Sequence, residues 1–404
     1  MTEIEFSIIP DTQEEFNLWS DLLKEFQVQT GIKVHPKRHT WGMAWPELMS
    51  YASMGRGADI SHIGSTWVSS LMVMNALSPI PTEMIERIGR MKSYLPAAWQ
   101  STRVDNSEQV WSVPLSIYTY VIAYRKDVLA KLGVEETTAF STPEQITHTI
   151  DQLYQFKEFA TPWVTPIVPP PFNDLIHLAA SWIWNKGGDF MDAKGSRVIF
   201  DSDAALQGFK EFFNILRRNS LTKDYFGTDN AAQALFEGET AAVITDLRSF
   251  ATELSKPYPQ AMKDNIGVAT TTNTPWLGGG NLVIWKHSRS YPDQFQASHQ
   301  LGEFITRKDT MLNFGRQNFL LPARADVLTE LFPADSVIAP LIQRLNQSGR
   351  SYRATSVWHR IEYQLGLELG NLLNKVQNKT KDDFNADLTK QIQDLAARLN
   401  LALA

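Results

Sequence analysis

Eight histidines, 44 acidic residues and no cysteine bound the chemistry open to this chain. His35 and His39 stand four apart, the spacing that puts two zinc ligands on one helical face, but Pro36 between them breaks the helix such a pair needs. The absence of cysteine excludes disulfides, thiol nucleophiles and thiolate metal sites, and leaves the redox compartment open. Gly278-Gly279-Gly280 precedes a strand, not a helix, and lacks the spacing of a dinucleotide or phosphate loop. No G-x-S-x-G elbow occurs. A glycosidase needs only two carboxylates, so it stays open as an alternative. No catalytic residue, metal ligand or cofactor is indicated.

Aromatic residues carry the stronger signal. Val113–Asp127 (VPLSIYTYVIAYRKD) reads as one central strand with apolar residues on both faces and Tyr118, Tyr120 and Tyr124 on the same side. Tyrosine combines a broad apolar ring with a hydroxyl tip, which suits a polar ligand with flat faces. Of twelve tryptophans, Trp41, Trp45, Trp67 and Trp276 stand beside turn residues. As a set they point to an aromatic-lined cleft.

The elements that position these residues alternate. Ile4–Ile9 is a strand, and Thr12-Gln13-Glu14-Glu15 a capping box for a helix that buries Phe16, Trp19, Leu23 and Phe26. Gly31 ends that helix, Ile32–His35 is a second strand ended by Pro36, a helix spans Pro46–Met54, and Asp59–Ile63 is a third strand. Gly64-Ser65-Thr66 caps a helix from Trp67. The pattern predicts a mostly parallel sheet with ligands beyond the carboxyl ends of its strands, where Asp11–Gln13 and Ser65–Trp67 lie. Ser141-Thr142-Pro143-Glu144-Gln145 opens another helix. Trp163–Phe172 reads as an irregular loop, Phe236–Thr245 as a turn and strand, and Trp276–Trp285 as a glycine turn entering a strand. Beyond it come helices over Pro292–Thr306 and Thr310–Gly315, then three more. The net charge of −6 argues against a nucleic-acid binder, and no apolar run is long enough to span a membrane. The N-terminus enters a strand directly; a signal peptide is taken as removed, with a cytoplasmic protein as the alternative.

Four stretches, in order, resemble the sugar-binding family of extracellular solute-binding proteins of ABC importers, which includes maltose-binding protein. Phe236-Glu-Gly-Glu-Thr-Ala-Ala-Val-Ile-Thr245 is similar to its F-x-x-G-x-A-A-M-x-I segment. Ala58-Asp59-Ile60 resembles its P-D-I strand start, and Pro114-Leu115 with Tyr124-Arg125-Lys126-Asp127 its hinge strand. Gly278–Ile284 with Gly315 and Leu321-Pro322-Ala323-Arg324 resembles its late G-G … G … P-x-R pattern.

The resemblance covers the whole chain. It implies an α/β, periplasmic-binding-protein-like fold: two lobes on a multi-strand hinge, one over 1–113 plus 276–322, the other over 114–275 plus 323–404. It implies a monomeric periplasmic receptor that closes on a carbohydrate-like solute and delivers it to ABC permease subunits, without nucleic acid, membrane insertion, catalysis or cofactor. A receptor feeding a sensor kinase is a further alternative. Residues aligned with family contacts are Asp11, Thr12 and Gln13 at the first strand–helix turn, Thr66 and Trp67 after the third strand, and Tyr118 on the hinge strand. To these it adds Phe172 and Asn173, Asp246 and Arg248, the late Gly279-Gly280-Asn281, and Trp358; Trp41 joins from the aromatic set. A family tryptophan is replaced by Arg248 and a hinge carboxylate by Tyr118. The expected solute is therefore an acidic or densely hydroxylated saccharide rather than maltose.

Overall fold

The structure, a computed structural model, describes residues 2–103, 107–166, 173–218, 227–317 and 320–403. Ten strands occur among the described residues: β1 (Glu3–Ile8), β2 (Lys33–Arg38), β3 (Ile60–Gly64), β4 (Leu77–Ser78), β5 (Val113–Tyr118), β6 (Tyr120–Arg125), β7 (Trp163–Val164), β8 (Ala242–Asp246), β9 (Ile266–Thr270) and β10 (Gly278–Trp285). They form two sheets, and the chain forms two compact units. The first unit takes Met1–Ile117, Leu277–Pro333 and Ser351–His359; the second takes Tyr118–Trp276, Ala334–Arg350 and Arg360–Ala404.

In the first unit the strand order is β2-β1-β3-β10-β4, with β5 also paired to β10. β1 is parallel to β2 and β3, as strand–helix alternation requires, and β10 runs antiparallel to β3 and β4. The helix Gln13–Thr30 starts where the capping box puts it. The Thr12 hydroxyl accepts from the Glu15 N–H at 3.1 Å, while the Glu15 carboxylate reaches one residue further back than expected, to the Asp11 N–H at 3.0 Å. Gly31 closes the helix at φ 73°. Trp19, Leu23 and Phe26 are buried. Phe16 is only half-buried, under the guanidinium of Arg38.

Several expectations are corrected. Pro36 does not end β2, which runs on to Arg38; β2 lies at the sheet edge, where a missing N–H costs no ladder bond. The helix assigned to Pro46–Met54 begins at Trp41, with Pro46 inside it. Gly278–Gly280 belong to β10 itself. Among the described residues the tail after Arg316 holds four helices, Ala325–Leu331, Ala339–Ser348, Trp358–Val376 and Lys381–Leu403, rather than three.

The largest correction concerns Val113–Asp127. It is two strands in two sheets, interrupted at Thr119. The Thr119 hydroxyl donates to the Trp276 carbonyl at 2.6 Å, and the Thr119 carbonyl accepts from the Leu247 N–H at 3.0 Å. These bonds take Thr119 out of both ladders.

The second unit's sheet has the order β7-β8-β6-β9. β6 is antiparallel to both β8 and β9, so here the mostly parallel expectation fails; only β7 and β8 run parallel. Trp163–Val164, expected in a loop, is β7. Thr142 caps the helix Pro143–Gln155 by accepting from the Gln145 N–H at 3.2 Å. The helices Asn173–Asn185 and Asp203–Arg218 supply a core with Trp182, Ile183, Phe209 and Phe212 fully buried. No helix of the described residues is long and apolar enough to cross a membrane.

Candidate functional site

In the first unit the carboxyl ends of β1 and β3 gather an aromatic group. Trp41, 44% exposed, opens its helix and donates its indole N–H to Asp11 Oδ1 at 2.9 Å. Trp67 meets Trp41 edge-on at 5.7 Å and Trp45 at 5.6 Å. Trp45 stacks on His359 with 3.9 Å between centroids. Trp67 is 7% exposed and belongs to the core with Leu48, Tyr51 and Leu71. The large ring presented to solvent is therefore that of Trp41, and Trp67 is its support. Thr66 is half-buried in the turn Ser65–Trp67.

Beside Trp41 lies His62, on β3. The rings meet edge-on at 6.1 Å. His62 is 4% exposed, and neither ring nitrogen has a hydrogen-bond partner among the described residues. Burial pushes it down to about 4, against a smaller upward pull from Asp11. Gly279 and Gly280 make room for this arrangement. Gly279 sits at φ 144°, where a Cβ would fall 2.0 Å from the Ser116 carbonyl oxygen; at Gly280 it would fall 2.0 Å from His62 Nε2. The Gly280 N–H donates to Ser116 Oγ at 3.0 Å.

The second unit gathers a different group. His177, on the helix Asn173–Asn185, stacks on Trp276, and Trp276 stacks on Tyr120 at 5.9 Å. Tyr118 meets Tyr120 edge-on at 5.4 Å. His177 Nε2 lies 3.6 Å from the buried carboxylate of Glu362, yet burial pushes the imidazole down to about 3, so it is neutral at ordinary pH. Desolvation, then the carboxylates of Asp246 and Asp174, hold the Tyr118 hydroxyl well above its usual range. Tyr120 is shifted the same way by burial, then Asp174. Asp246, 1% exposed, caps the helix Leu247–Ser255 by accepting from the Ser249 N–H at 2.9 Å. Arg248, in that helix, is half-buried.

The remaining expected contact residues have the following surroundings. Thr12 is engaged as a helix cap, and the Gln13 side chain accepts from Arg38 and donates to Asn17. Asn281 turns inward, 1% exposed, and donates to Ser101 Oγ and Ser112 Oγ, both at 2.9 Å. Trp358 is 1% exposed and stacks on Tyr352 at 4.2 Å. Asn173 opens its helix, and Phe172 lies outside the described residues. His62, His177 and His359 were not singled out by sequence, since nothing local separates them from packing histidines.

A family model described as bacterial extracellular solute-binding protein matches residues 21–340. The chain belongs to that family. No curated protein sequence matches it. Among solved structures, this solute-binding family member is similar to an ABC transporter solute binding protein from Thermotoga lettingae bound with alpha-D-tagatose, at 16% identity and TM-score 0.77, covering 100% of both chains. It is similar to maltose-bound MalE3 of T. maritima, at 19% identity and TM-score 0.77, covering 98% of this chain and 100% of that one. A third, from Agrobacterium radiobacter in complex with ribitol, has 14% identity and TM-score 0.72, covering 96% and 98%. These likenesses establish the α/β solute-binding-protein fold expected from sequence.

Proposed function

We propose that this protein is the solute receptor of an ABC importer, that it binds a carbohydrate-like solute outside the cytoplasm without altering it, and that it hands the solute to the permease. The observation that carries this reading is Trp41: a large, 44% exposed ring, fixed through its N–H to Asp11 at the carboxyl end of a parallel strand. An anchored indole covers the apolar face of a sugar or polyol, while the carboxylate beside it accepts from hydroxyls. The family match and the saccharide- and polyol-bound relatives support the same reading. A thermal-shift screen over sugars and polyols tests it, because a solute that binds only the native state raises the melting temperature. Calorimetry on the hits, and product analysis after prolonged incubation, complete the test. A raised melting temperature with no product supports a receptor; turnover of any hit would make it an enzyme.

A further inference from the structure

One helical face of the first unit is nearly free of charge. The helix Trp41–Met54 and the segment Ser65–Val73 contain a single charged residue, Glu47, whereas the helix Gln13–Thr30 of the same unit contains five. A surface helix ordinarily turns charged residues to water. Here Met43, Met54 and Val73 are each at least 60% exposed, and Trp41 and Met74 are exposed as well. These five make up nearly half of the large apolar side chains that stand in solvent among the described residues. Half-buried Met49 and Met72 pack on the core of Leu48, Tyr51 and Leu71, so both helical segments belong to one apolar layer. Elsewhere on the outer face of Trp41–Met54, Gly42, Pro46 and Ser53 are exposed and uncharged. Exposed apolar surface of this kind marks a contact site, and methionine, flexible and polarisable, is enriched in such contacts.

We propose that this face binds the same face of a second copy of the chain, in an isologous dimer with the two Trp41–Met54 helices antiparallel. The chemistry of the face points to that occupant. Its two helical segments hold no lysine or arginine, so an anionic lipid surface finds nothing there to pair with. A charge-free face matches a charge-free face, and a twofold axis supplies one. The two charges at its margin then become complementary. Glu47 and Arg56 form no ion pair among the described residues; the Arg56 guanidinium, just past the helix end, lies 3.7 Å from the Met54 sulfur. An antiparallel pairing with its axis at the level of Tyr51 and Ala52 sets Glu47 against Arg56 of the second copy, Met49 against Met54, and Ser50 against Ser53. The small serines let the helices approach, and the methionines fill the space around them. Trp41 lies beyond the paired stretch and stays open to a solute. This departs from the monomer expected by resemblance.

The test is sedimentation velocity on the full chain from about 1 μM to about 1 mM, the span in which contacts of modest affinity associate. The expected result is a shift from the mass of one chain to twice that mass as concentration rises. Met54→Lys should weaken the dimer at least roughly tenfold, because it places an unpaired charge inside an apolar contact. Glu47→Arg and Arg56→Glu should each weaken it several-fold, since each sets like charges together at two symmetry-related places. The double variant Glu47→Arg with Arg56→Glu should recover most of that loss. Thermal melts show that each variant is folded. A chain that stays monomeric throughout overturns the proposal. So does a dimer that Met54→Lys leaves intact, because the copies then meet through another face. A double variant whose losses merely add overturns the antiparallel pairing.

Discussion

The His177 imidazole lies flat on the Trp276 indole, with 4.2 Å between ring centroids and 9° between planes. The indole is held from its backbone as well: the Trp276 N–H donates to Ser181 Oγ at 2.8 Å, and its carbonyl accepts from Thr119. His177→Ala strips the stacked partner from one face and leaves those backbone bonds. It should cost about 0.5–1.5 kcal/mol of stability, the worth of an aromatic pair beyond its area. A denaturant midpoint lowered at constant slope would show it. An unchanged midpoint would mean the stack adds nothing to the fold.

Trp41 and Trp67 should separate binding from stability. Trp41→Ala removes an exposed ring and one hydrogen bond, so solute affinity should fall by about 1–3 kcal/mol while the melting temperature changes little. Trp67→Ala empties a core position and should cost about 3–5 kcal/mol of stability. Titration calorimetry and thermal melts on both variants decide it; equal melting losses would place Trp41 in the core as well.

Acid should destabilise the protein through three histidines, one buried and two half-buried. His62 and His359 are pushed by burial from 6.5 to about 4, and His177 to about 3. Between those values and 6.5 the unfolded chain binds more protons than the folded one, so stability rises with pH. The contribution is fully present above pH 6.5 and is lost as pH falls toward 4. Each such histidine adds a slope of about 1.4 kcal/mol per pH unit within the window. Chemical unfolding at stepped pH measures the total, and His62→Gln should flatten it by one proton's share.

Gly280→Ala should fail on sterics, since a Cβ there lies 2.0 Å from His62 Nε2. The cost of such overpacking is about 1–3 kcal/mol. The double variant Gly280→Ala with His62→Ala should recover part of it. A double variant with strictly additive losses would show that the two residues do not crowd each other.

Much of the candidate site was readable because its signals are local. Thr12, Thr142 and Gly31 act as caps through partners three or four residues away, and cap chemistry depends on little else. Asp11 and Trp41 stood out as a polar residue at a strand end and a tryptophan beside turn residues. The motifs from Ala58-Asp59-Ile60 to Leu321-Pro322-Ala323-Arg324 carried the family, and the family match bears that out.

Sequence alone determined the family, the α/β class and several helix starts, because capping, periodicity and motif order are written within short windows. Tertiary structure alone decided where Val113–Asp127 breaks, since the atom that takes the Thr119 hydroxyl belongs to Trp276, 157 residues later. It also decided which tryptophan faces solvent, Trp41 rather than Trp67. And it made His62, His177 and His359 part of the story. A histidine's state is set by what surrounds it, and their surroundings, such as Gly280, Trp276 and Trp45, come from distant stretches of chain whose approach no local pattern encodes.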